Sequence, residues 1–193
     1  AAYKVIKETW GRVDVLVNDA GIGEQPGKTL EQNAEAFEKI LSVHLTGTFL
    51  MSQGALKIMQ KQDRDDKDLR GAIINLGSIA SNLGIPGRNA YSAAKAALIS
   101  MTKAIAMENG RYGIRANIVL PGTVRTPLWN KRAEKDPKVL ETLVKWYPLA
   151  RIAEPSDVSN AVAFLASDAA SAITGVALPV DCGLTAGNIV MSR

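Results

Sequence analysis

Cysteine is nearly absent from this 193-residue sequence, where Cys182 stands alone. No internal disulfide can form, which suits a reducing compartment, and no metal site is expected. Histidine is equally scarce, with His44 the single instance. No apolar run reaches the roughly 18 residues needed to cross a membrane, and the opening AAYKVIKETW is not a secretory signal. There is no internal repeat and no low-complexity stretch. Charge of one sign is not concentrated anywhere: the net charge is +4, and Lys131, Arg132, Lys135 and Lys138 are interleaved with Glu134 and Asp136. That pattern is a solvated helix face, so neither nucleic acid nor a membrane is expected as a partner. A G-x-G-x-x-G turn following a strand is also missing from the sequence.

What is present is a 47% hydrophobic composition, enough for one domain with a substantial core. The apolar runs at 13–18, 71–77 and 114–120 read as buried strands, and Thr174–Val180 as a last one. Helices are expected over Ala1–Trp10, over 33–62 as one long element, from Asn89 to about Gly110, and from Glu154-Pro155-Ser156-Asp157 to Ala166. The helix from Asn89 is apolar or small nearly all round, with Ala93, Ala97, Leu98, Met101, Ile105 and Met107, so it needs burial on several sides. Residues 127–150 are partly helical and carry Leu128, Trp129, Trp146 and Tyr147, which suits a lid over a substrate.

The chemistry concentrates in INLGSIASNLGIPGRNAYSAAK. Ser78 follows the strand GAIINLG, Tyr91 comes thirteen positions later, and Lys95 four beyond that. Residues four apart share a helix face, so the phenol and the ammonium can act on one point. A free phenol has a pKa of about 10, too high for an efficient base near neutrality. A neighbouring ammonium favours phenolate and is expected to lower that value. A serine hydroxyl facing the pair can hold a substrate oxygen beside it. The loop between them places Asn82, Leu83 and Arg88 as candidate substrate neighbours.

These residues resemble the active-site segment of the short-chain dehydrogenase/reductase family. NDAG at 18–21, HLTGTF at 44–49, PGTVRT at 121–126 and ITGVALPVDCG at 173–183 extend the resemblance, in the family's order, over nearly the whole chain. It implies an α/β fold, a doubly wound, Rossmann-like parallel sheet with helices on both faces, spanning 1–193 as a single dehydrogenase domain. In the family, the helix and strand at 1–18 lie in the middle of the nucleotide-binding half. The first strands and the glycine-rich turn that grips a pyrophosphate are therefore expected to be missing here, and the chain to be about the C-terminal three-quarters of a member. In the family's strand order, 3-2-1-4-5-6-7, the strand at 13–17 would be the fourth, beside the missing first, and becomes an open edge.

The resemblance also implies the site. Ser78, Tyr91 and Lys95 would be catalytic, interconverting a small-molecule alcohol and a ketone with NAD or NADP. His44 stands where the family has an Asn that supports a helix kink and a water relay from the Lys, so His44 is a candidate relay residue. Asn18, Ala20 and Gly21 would line the cofactor, with Asp19 in place of a commoner second Asn. Tyr91 and Lys95 would bind it too, along with Pro121, Gly122, Val124 through its backbone, and Thr126. Cys182 occupies a usual Gly position. The family implies a homodimer or homotetramer, and a cytoplasmic location is expected. The rival reading is a catalytically inactive fragment or oligomerisation partner. A dehydratase or epimerase of the extended family would need more residues after Thr126.

Overall fold

A computed structural model describes residues 2–187 of the chain, apart from the side chain of Leu128. Helix α1 (Ala2–Thr9) leads through Gly11 to strand β1 (Val15–Asn18). Next come α2 (Ala34–Leu41), α3 (Thr48–Met59), β2 (Gly71–Leu76), α4 (Asn89–Asn109) and β3 (Ile114–Pro121). The chain continues through α5 (Pro127–Lys135), α6 (Lys138–Val144), α7 (Pro155–Ala166) and β4 (Ala177–Val180). The four strands form one sheet in the order β1-β2-β3-β4, every pair parallel. Parallel neighbours need crossovers, and helices supply them on both faces.

The period of two along each strand sorts the core. Ile73 on β2, with Ile114 and Ala116 on β3, packs beneath α3 and α4, where Ala55, Met59, Ile105 and Ala106 close the layer. Ala72, Ile74 and Leu76, with Val119, turn to the opposite face and meet Leu165 of α7. Toward the C-terminal end of β3, Ile118 and Leu120 pack on Leu98 of α4.

One buried charge ties this second face together. Arg115 lies at 5% exposure and donates to the carbonyls of Leu165, Ala166, Ser167 and Ile173. The first three belong to the end of α7, where the last carbonyls have no intrahelical partner. A cation at a helix C-terminus also complements the dipole.

The edge expected at β1 is present. The strand has no outer partner among the described residues, and Val15 and Val17 are 43% and 44% exposed. Helix α4 is buried on its sheet side through Ala90, Ala94, Leu98, Thr102 and Ile105, while Ala93, Ala96 and Met107 face outward, exposed. Burial on several sides is thus not met within one chain. The long helix over 33–62 is also modified. Residues Ser42–Gly47 form a π-helical turn between α2 and α3, centred on the buried His44. A π-turn shifts the hydrogen-bonding register by one residue and re-aims the side chains beyond it. The final strand is shorter than the sequence suggests, starting at Ala177 because Gly175, at φ +74, bends the chain just before it.

Candidate active site

In a parallel α/β sheet, ligands bind beyond the carboxyl ends of the strands. Here those ends carry Asn18, Ser78 and Pro121-Gly122. A polar chain braces them from beneath. Asn18 Nδ2 donates to Asn75 Oδ1 (2.8 Å) and Ser52 Oγ (3.1 Å), and Asn75 Nδ2 donates to Thr102 Oγ1 (2.9 Å). All four side chains are buried. This row crosses from β1 through β2 to α4 and fixes the helix that carries Tyr91 and Lys95. Every buried polar group in it has a partner, as a buried network requires. Asn18 therefore serves the sheet, with both of its amide hydrogens committed.

Ser78 leaves β2 in extended conformation and is buried, and its Oγ accepts from Ala80 N at 3.1 Å. That acceptance leaves the hydroxyl proton free to donate. Tyr91, in the first turn of α4, faces Ser78, whose hydroxyl draws its phenol pKa down. Burial acts more strongly, and the net shift is upward from the usual value, with Arg88 a smaller pull downward.

This reverses the expectation that the neighbouring ammonium lowers the phenol, because desolvation of the phenol outweighs the groups that favour its anion. Lys95 Nζ lies 5.7 Å from the Tyr91 ring centroid and donates to the Leu76 carbonyl. Lys95 is itself 6% exposed, and burial pushes its ammonium down to about 8, against a smaller opposing pull from Asp19. The Leu76 carbonyl takes one of the three ammonium donors, and among the described residues the other two have no protein partner.

His44 adjoins the pair. Its ring meets the Tyr91 ring edge to face, with centroids 5.3 Å apart and planes at 89°. Nε2 lies 2.9 Å from the Ile22 carbonyl and 3.2 Å from the Ile22 N–H, so it can donate to the first or accept from the second. Nδ1 is buried and has no hydrogen-bond partner among the described residues. Burial lowers the His44 pKa, the Ile22 contact opposes this, and Lys95 lowers it further. Gly21 explains how the loop comes this near: a Cβ there would stand 2.5 Å from His44 Cε1.

The turn after β3 is held differently. Tyr147 is buried, its hydroxyl donating to Thr123 Oγ1 (2.8 Å) and accepting from Thr123 N (3.1 Å). It braces this turn. Trp146 is exposed, and Trp129 stacks with Arg132. Leu128, also named for the lid, has its side chain outside the described set. A parallel bridge joins Val124 to Ala153 through the Thr123 carbonyl and the Arg125 N–H. Because backbone groups alternate along an extended chain, the Val124 N–H is directed away from that bridge. Gly122 fits against Asp181, where a Cβ would meet Asp181 Cα at 3.0 Å. Cys182 has φ +53, a left-handed conformation that favours glycine.

The structure thus brings Ser78, Tyr91, Lys95 and His44 to one end of the sheet, with Gly21 packed against His44 and the turn from Pro121 to Thr126 following the neighbouring strand. Asn82 and Leu83 lie on the loop after Ser78, while the Arg88 side chain turns to the Glu24 carbonyl. Sequence reasoning missed Glu24. Its carboxylate accepts from Tyr91 N at 3.0 Å and Ala90 N at 3.3 Å. No local signal marks it, since it is 67 positions from Tyr91.

Comparison with known proteins gives a consistent picture. A family model described as enoyl-(acyl carrier protein) reductase matches residues 1–185. A crystal structure of an oxidoreductase of the short-chain dehydrogenase/reductase family from Burkholderia thailandensis is 45% identical with a TM-score of 0.87, covering 98% of this chain and 71% of that one. The structure of ElxO with NADP bound is 32% identical with a TM-score of 0.87, covering 96% of this chain and 72% of that one. The 3alpha-hydroxysteroid dehydrogenase of Mediterraneibacter gnavus is 41% identical over 181 residues, 94% of this chain and 68% of that protein.

Proposed function

The chain belongs to the short-chain dehydrogenase/reductase family, and on that premise we propose that this oxidoreductase interconverts a ketone and a secondary alcohol with NAD or NADP. The observation that carries the reading is the convergence of the Ser78 hydroxyl, the Tyr91 phenol and the Lys95 ammonium beyond the end of β2. The donor set suits the nicotinamide-ribose end of a dinucleotide, because two unused ammonium donors on Lys95 match the oxygens of a ribose diol. The Val124 N–H and the Thr126 hydroxyl would hold the carboxamide side, with Gly122 and Pro121 shaping the turn. Asn18, Ala20 and Gly21 would form the neighbouring wall.

A bound nicotinamide supplies or accepts the hydride. The residues of the chain do the rest. Ser78 donates to the substrate oxygen and holds it beside the phenol. Tyr91, protonated at neutral pH as a phenol is, gives its proton to that oxygen as the carbonyl carbon is reduced, and regains one from solvent. In oxidation the same proton travels back to a Tyr91 phenolate. The hydroxysteroid dehydrogenase relative supports a secondary alcohol as the reduced partner. The outward face of α4, with Ala93, Ala96 and Met107 exposed, supports a homodimer or homotetramer.

The direct test is a screen of secondary alcohols and ketones with both cofactors, read at the absorbance of the reduced nicotinamide. Turnover of at least one alcohol–ketone pair is expected. Binding of a cofactor without turnover of any such pair would favour the inactive reading instead.

His44 joins the proposal as a relay residue. Its unpartnered Nδ1 can hold a water near Tyr91 and Lys95. His44→Asn keeps a donor and an acceptor, whereas His44→Ala keeps neither, so His44→Ala is expected to lower kcat more. Equal and near-native kcat in both variants would leave His44 a packing residue of the π-turn.

A further inference from the structure

The helix that carries Tyr91 begins without a local cap. Arg88, at the N-cap position of α4, makes no side-chain capping bond. The first-turn N–H groups must find other partners, and they find Glu24, in the loop that follows β1. Glu24 Oε2 accepts from Tyr91 N at 3.0 Å, and Oε1 accepts from Ala90 N at 3.3 Å and from Gln32 Nε2 at 2.9 Å. The carboxylate sits at the positive end of the helix, where a negative charge is favoured. Further contacts lace the same two segments together. The Arg88 guanidinium donates to the Glu24 carbonyl, Gly27 N donates to the Gly87 carbonyl (3.3 Å), and Asn89 Nδ2 donates to Thr29 Oγ1 (2.8 Å).

The loop also reaches Tyr91 from its other side. Ile22, two residues before Glu24, contacts His44 Nε2 through its backbone, and the His44 ring stands edge-on to the Tyr91 ring. Tyr91 is therefore held by its main chain through Glu24 and by its ring through His44. Lys95 lies one turn deeper in α4, anchored to the Leu76 carbonyl. Fraying of the first turn would thus displace Tyr91 relative to Ser78 while leaving Lys95 in place.

We propose that Glu24 is a positioning residue that fixes the Tyr91 phenol against Ser78 by capping the active-site helix from a distant loop. The catalytic consequence rests on the acid–base reading of Tyr91 given above; the capping itself does not. Removing the cap moves the phenol away from the substrate oxygen that Ser78 holds, and misplacement by about 1 Å can cost on the order of 10²-fold in rate.

The test uses Glu24→Ala and Glu24→Gln in the intact enzyme, with two measurements. In steady-state kinetics, Glu24→Ala is expected to lower kcat by about 10- to 100-fold with little change in the KM of the cofactor, since Lys95 is undisturbed. Glu24→Gln keeps one acceptor oxygen for the Tyr91 N–H and is expected to recover most of the loss. In hydrogen exchange on the cofactor-free protein, the amides of Ala90 and Tyr91 are expected to lose protection in Glu24→Ala, while those of β2 and β3 keep theirs. Unchanged exchange at Ala90 and Tyr91 would overturn the cap. Loss of protection spread evenly over β2, β3 and α4 would overturn positioning in favour of general stability. Selective exchange with native kcat would overturn the catalytic consequence. Exchange is read without substrate, so it decides the cap even if Tyr91→Phe retains full turnover and the acid–base reading itself falls.

Discussion

Tyr91→Phe is expected to reduce turnover by about 10²- to 10⁴-fold, the usual worth of general acid–base catalysis. The substitution removes one oxygen and keeps the ring, so the edge-to-face contact with His44 survives. The Glu24 cap survives too, because it grips the Tyr91 backbone. The fold should therefore be intact, and circular dichroism and the melting temperature should match the parent. The loss should fall on kcat and leave the KM of the cofactor nearly unchanged, since the phenol's main task lies at the substrate oxygen. Burial holds the Tyr91 pKa above its usual value in the cofactor-free protein. The phenol is then the proton donor across neutral pH, and carbonyl reduction should be the less impeded direction in that range. A folded, cofactor-binding Tyr91→Phe protein with native turnover would remove Tyr91 from the mechanism.

Lys95→Met is expected to cut turnover by a comparable order, about 10²-fold or more, and to weaken cofactor binding as well. It deletes the buried ammonium whose two unassigned donors suit the ribose. The pH dependence gives a separate signature. The Lys95 pKa lies near 8 in the folded chain, pulled down by burial. The ammonium is thus lost as pH rises through that value, and kcat/KM, which reports the free enzyme, should fall on an alkaline limb near it. In Lys95→Met that limb should be gone.

Stability should move the other way. The unfolded chain holds the Lys95 proton up to the ordinary lysine range, about 10.4. Between about 8 and that range the unfolded state binds more protons, so the parent grows more stable as pH rises through this window. Below about 8 the buried charge is a standing penalty. A neutral Met removes the penalty, so at pH 7 the variant is expected to melt higher, although the Leu76 carbonyl loses its partner and offsets part of the gain. Slower turnover with a raised melting temperature is the opposite of what a simple loss of folding would give. Lower turnover together with a lower melting temperature would mark Lys95 as structural. Because Tyr91 and Lys95 serve one proton transfer, the double variant should fall well short of the product of the single effects.

Much of this site was legible in the chain. The apolar runs ending at Asn18, Gly77 and Leu120 place three strands, and parallel strands between helices place their carboxyl ends together. The thirteen-residue and four-residue spacings put Ser78 at one such end and stack Tyr91 with Lys95 on one helix face. Those facts follow from local periodicity, which a sequence carries directly. The open edge of β1 came from the strand order that the family resemblance implies.

Other features were decided only when distant segments met. Glu24 lies in a loop with nothing to distinguish it from a solvated acid, until folding sets it against the bare first turn of α4. Arg115 lies within a run whose pattern marks only a buried strand, and becomes the partner of the last carbonyls of α7 once the helix lies across it. Tyr147 sits among residues that suit a lid, yet packing turns its hydroxyl inward onto Thr123. The direction of the Tyr91 shift was reversed for the same reason. Spacing along the helix sets which groups are neighbours, whereas desolvation depends on everything packed around them, and only the tertiary structure brings that surrounding matter into place.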